Sequence, residues 1–155
     1  MADVRCEKKI IGIEEFFCKE WRDELSYLYN HNSIKIKMIN LKHKNLDVWK
    51  LSIQLTTIIY DLTGNFPKTE RYGLISQLRR AAISIPSNIA EGAARSSVKE
   101  RRRFYEIARS SLVEIDTQLE ISFSLGFAAE KYLPKLKDKM NHLFAMLSNL
   151  IKKTR

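Results

Sequence analysis

Five cations, Arg95, Lys99, Arg101, Arg102 and Arg103, fall within nine residues of chain. Such a cluster attracts phosphate, and the planar fork of arginine matches two phosphate oxygens at once. Successive side chains fan out by about 100° around a helix, so these cations encircle a helix start instead of lining one stripe. The unpaired amides of a helix N-terminus add partial positive charge beside them. Two readings of the cluster stand: polyanion contact, or a solvated helix start whose arginines pair with Glu91, Glu100 and Glu106. Arg79 and Arg80 are secondary candidates for phosphate contact. The alternative for them is an ion pair between Arg80 and Glu114, which contributes only about 0–1 kcal/mol if exposed.

No converging set of groups points to catalysis. His31, His43 and His142 are scattered, and Asp138 and His142 form the only carboxylate and imidazole pair at i, i+4 spacing within one expected helix. A di-metal bundle wants Glu-x-x-His motifs on facing helices, and the sequence has none; nor does it have a Gly-rich phosphate loop. The expectation is a protein that binds and does not catalyse, without metal or cofactor.

The elements that must position these residues are helices. From about residue 45 onward, apolar residues recur at alternating steps of three and four. The first helix is expected over about 46–63, with Asn45 as N-cap and Leu51, Leu55, Ile58, Ile59 and Leu62 inward. The second, about 69–93, carries Leu74, Leu78, Ala81, Ile85, Asn88 and Gly92 on one seam. Pro86 interrupts it, and a proline cannot donate to the carbonyl of Ala82. A kink is expected there, with Ser87 or Asn88 satisfying the released group. Asn88 reads either as a polar register device in the seam or as a side chain turned outward after the kink. The third helix, about 98–125, opens on the capping box Ser97-Val98-Lys99-Glu100 and buries Tyr105, Ala108, Leu112, Ile115, Leu119 and Phe123. The fourth, about 130–153, repeats Leu136, Met140, Leu143, Leu147 and Leu150. Connections this short cannot cross a bundle, so the chain is expected to be all-α, an antiparallel up-down-up-down four-helix bundle.

Residues 1–44 read as an appendage to the bundle domain of 45–155. Ile10, Ile13, Phe17 and Trp21, with Leu25 or Leu28, would mark one extra helix, followed by an unpatterned stretch bearing Lys35, Lys37, Lys42 and Lys44. Met38 offers an alternative start just before the bundle.

The 155 residues suffice for one core plus an accessory segment. A formal charge of +9 makes nucleic acid the leading partner class. Cys6 and Cys18 lack C-x-x-C spacing and a secretory signal ahead of them, so they read as reduced thiols of a cytoplasmic protein. No apolar run is long enough to span a membrane.

The stretch from Leu46 to Ile151 carries several distinctive blocks: Asp47-Val48-Trp49, Phe66-Pro67 with Glu70 and Tyr72-Gly73-Leu74, Gln77-Leu78-Arg79-Arg80-Ala81-Ala82, and Ser84-Ile85-Pro86-Ser87-Asn88-Ile89-Ala90-Glu91-Gly92. With Phe104, Ile107-Ala108, Ser111-Leu112 and Glu114, these resemble the four-helix-bundle family encoded within intervening sequences of bacterial 23S ribosomal RNA genes. That family also includes the accessory variability determinant of diversity-generating retroelements. The chain departs from it at Ser110, where the family commonly has Gly. The resemblance implies a bundle that assembles into rings of five. Through the retroelement member, it also implies binding to nucleic acid and to a reverse transcriptase.

The residues themselves point to self-association. Opposite its core stripe, the third helix carries Arg103, Ile107, Ser110, Glu114, Thr117 and Ile121, and the second carries Ser76, Ile83 and Ala90. Outward isoleucines at helical spacing imply a second buried seam. The expected interface is therefore Ile83, Ala90, Ile107, Ser110, Glu114 and Ile121. A patch that meets a different surface on its neighbour closes into a ring when the rotation permits. Two functions follow: a homo-oligomeric nucleic-acid-binding scaffold, RNA before DNA, or an adaptor that docks a nucleic-acid enzyme such as a reverse transcriptase.

Overall fold

Apolar residues at steps of three and four are brought to one side only by a helix, and four long helices form. They are α1 (Asp47–Thr63), α2 (Leu74–Ala94), α3 (Val98–Ser124) and α4 (Leu133–Lys153). The computed structural model describes residues 39–155, and no strand occurs among them. The extra helix expected from Ile10 to Leu28, both cysteines and His31 lie outside the described residues. Three short 3-10 turns, Lys42–Asn45, Lys68–Arg71 and Glu130–Tyr132, lead into the helices that follow them.

These turns correct three expected boundaries. Asn45 is not the cap of α1, because it belongs to the turn before it; Leu46 occupies the cap position and makes no side-chain cap bond. Helix α2 begins at Leu74 and not near 69, and Glu70 accepts from the Leu74 amide at 3.3 Å in place of a conventional cap. Helix α4 begins at Leu133, with Pro134 in its first turn, where a missing amide costs nothing.

Each helix packs on its neighbours in sequence, and α1 also packs on α4. The core follows the stripes read from the sequence: Leu55, Ile59, Leu78, Ile85, Ile115 and Leu143, each 0% exposed, are among its most buried members. Leu51, Leu74, Phe123 and Leu150, by contrast, are only partly buried against it, and α4 buries Ile151 beside Leu150. Full burial of one such side chain contributes about 1.5–3 kcal/mol. The turn after α3 closes as a Schellman motif, with the Phe127 amide donating to Ser122 O and the Gly126 amide to Phe123 O. Gly126 has φ +71°, a conformation that side chains with a Cβ resist. Phe127 then meets Phe66, which follows α1, with ring centroids 6.1 Å apart. The turns after α1 and after α3 are thereby joined.

Helix α2 runs through Pro86 without a break. The carbonyl of Ala82 is satisfied neither by Ser87, which donates to Ile83 O, nor by Asn88, which donates to Ser84. Thr56 of α1 does this, its hydroxyl lying 2.9 Å from Ala82 O. Asn88 is half-buried and forms a polar chain with Ser84 and Ser111, which ties α2 to α3 by side-chain hydroxyls.

Candidate nucleic-acid interface

Only three residues, Arg95, Ser96 and Ser97, separate α2 from α3. So tight a reversal needs close helix approach, and Gly92 provides it. A Cβ there would lie 2.6 Å from Tyr105 Cε1 and 3.1 Å from Phe104 Cβ. The Ser97 hydroxyl accepts from the Glu100 amide at 3.4 Å and starts α3 as the sequence predicts.

The five clustered cations divide by what they touch. Arg101 donates from Nε and Nη2 to the carbonyl of Arg95, at 3.3 and 2.9 Å, and so caps the end of α2. Arg95 lies 4.8 Å over the Phe104 ring and 3.8 Å from Glu91. Arg102 pairs with Glu106 at 3.0 Å. Glu100 takes no arginine among the described residues, so two of the three expected pairings form. Lys99 and Arg103 are exposed and make no ion pair or hydrogen bond among the described residues. They stand four residues apart on one face, beside the free amides of α3's first turn. The junction thus presents two available cations, Lys99 and Arg103, two that also shape the loop, Arg95 and Arg101, and one, Arg102, paired along α3.

Burial pushes the Tyr105 phenol above its ordinary value of 10, against the smaller opposing pull of Arg101. Tyr105 is therefore a neutral packing residue under Gly92 at any physiological pH.

Arg79 and Arg80 do not join this cluster. Arg79 donates to the Thr63 hydroxyl at 2.9 Å and stacks 4.6 Å over Tyr60, which fixes it at the C-terminal end of α1. A cation is favoured there by the helix dipole, so no carboxylate is required. Arg80 donates to Gln77, and Glu114 accepts from Gln118, so the alternative Arg80–Glu114 pair does not form. Neither Tyr60 nor Thr63 was identifiable as a partner of Arg79, because their separation in sequence carries no periodic signal.

The outward face of α3 is exposed where the sequence places it. Ile107 is 39% exposed, Ile121 46%, and Ile83 of α2 46%. Ser110 and Glu114 are exposed, and Ala90 is half-buried. Val113, 51% exposed, flanks this stripe and widens its apolar area beyond the sequence reading. Lys99 and Arg103 continue the same face toward the start of α3.

Among the described residues, no three His, Cys, Asp or Glu side chains converge as a metal ion requires, and no helix is long and apolar enough to cross a membrane. No curated protein matches the chain. Residues 44–149, well over half of its length, match the family model described as 23S rRNA-intervening sequence protein.

Proposed function

The chain belongs to the 23S rRNA-intervening sequence protein family, and from that premise we propose a non-enzymatic, ring-forming four-helix bundle that binds nucleic acid, RNA first, through one basic end. The helices alternate up and down. Support for that arrangement comes from the three-residue α2–α3 junction and from the Phe66–Phe127 contact, which joins the other two turns.

One observation carries the binding role: Lys99 and Arg103 are exposed, unpaired among the described residues, and set beside a helix N-terminus. Phosphate supplies what they lack. The outward isoleucines of α2 and α3 support self-association, and a closed ring would gather the basic ends into a collar that multiplies weak phosphate contacts.

The test is filter binding of RNA by the intact protein and by Lys99→Gln plus Arg103→Gln, which spares Arg101 and its loop bonds. The pair should bind about tenfold more weakly and lose about 1.4 units of salt slope on single-stranded RNA, as expected for two phosphate contacts. No binding at low salt, or binding indifferent to salt, refutes the proposal; capture of a reverse transcriptase without any naked RNA would favour the adaptor.

A further inference from the structure

We propose that the last turn of α4, through Lys152 and Lys153, is a second phosphate-contacting subsite of the same basic end. The inference rests on the nucleic-acid reading above and on the register of the helices.

Three side-chain bonds set that register: Thr56 to Ala82, Ser111 to Ser84, and Lys139 to Gln54. At about 1.5 Å of rise per residue, Ala94 lies about 18 Å beyond the Thr56–Ala82 level. With the helices alternating in direction, the start of α3 lies about 22 Å beyond it, and Lys153 about 24 Å. The last turn of α4 is therefore level with the start of α3, and those two helices pack together. Both lysines are exposed. The sole acidic residue of α4, Asp138, lies far back along the helix, so no carboxylate of α4 competes for them. The 3-10 turn carrying Lys42 precedes α1 at this same end and packs on α2. The basic surface thus spans several corners of the bundle, and a polyanion laid across the α2–α3 junction reaches the end of α4.

A structural alternative exists, since cations in a last turn complement the helix dipole. It predicts lower thermal stability with binding retained, whereas the subsite predicts the converse. The experiment uses the full chain and a fluorescein-labelled single-stranded RNA, with anisotropy read across a salt series. Lys152→Gln plus Lys153→Gln should weaken binding about tenfold at low salt and lower the slope by about 1.4 units, at about 0.7 per contact. Lys135→Gln plus Lys137→Gln removes the same charge from the opposite end of α4 and should leave affinity within about twofold. Equal weakening by both pairs reduces the effect to net charge and overturns the subsite. So does unchanged binding by the first pair while Lys99→Gln plus Arg103→Gln loses affinity. If the unsubstituted protein binds no RNA, the underlying reading falls with it.

Discussion

Replacing Thr56 by Val keeps the branched shape and removes one hydroxyl. The proton of that hydroxyl is poised between Ser52 O and Ala82 O, each 2.9 Å away. The two acceptors are not equivalent. Ser52 O can still accept from its own helix, whereas Ala82 O has lost its helical donor to Pro86. Ala82 is 0% exposed, and an unpaired buried carbonyl costs about 1–3 kcal/mol. Thr56 is itself half-buried, which places the expected loss in the lower part of that range, about 1–2 kcal/mol. The partner substitution is Pro86→Ala, which returns an amide to Ala82 and removes a helix-interior proline worth up to about 3 kcal/mol. Pro86 is buried, so lost ring contacts offset part of that gain. In the Pro86→Ala background, Thr56→Val should cost no more than about 0.5 kcal/mol, giving a coupling near 1 kcal/mol. Urea unfolding of the four proteins, followed by helical circular dichroism, measures it. Additivity within about 0.3 kcal/mol would show that Thr56 does not stand in for the missing donor.

Gly92→Ala should destabilise the fold by about 1–2 kcal/mol, because overlap with the buried Tyr105 ring outweighs the gain in helix propensity. Gly64→Ala, whose Cβ would come no closer than 3.4 Å to its neighbours, should be neutral or stabilising, and thermal melts of the two variants check the contrast. His43 should titrate below 6.5, because burial and then Lys44 disfavour its charged form. The unfolded chain then binds the extra proton first, so stability is present above pH 6.5 and declines as pH falls through it. An NMR titration giving a value at or above 6.5 would contradict this. Ile107→Glu plus Ile121→Glu should convert an assembly into folded monomers, read by light scattering against the 18.1 kDa chain mass.

The helices were legible because burial imposes a period, and residues such as Leu55, Ile85, Ile115 and Leu143 obey it without exception. Boundaries were less so. Asn45 has the chemistry of a cap, yet a 3-10 turn takes it up, and the apolar pattern does not distinguish that turn from a first helical turn. At the basic junction, the cluster was visible but its division was not. Whether an arginine serves a loop or a ligand depends on which carbonyl lies within reach, and Arg101 finds that of Arg95 only once the junction has folded. The same holds for Ala82: its loss of a donor is written in Pro86, but the replacement comes from 26 residues away.

The binding claim is tested most directly by the salt dependence of RNA affinity for the unsubstituted protein. The logarithm of the binding constant should fall linearly with the logarithm of salt concentration, with a slope of several units, as charged contacts to phosphate require. A slope near zero, or no binding at the lowest salt, would contradict the account.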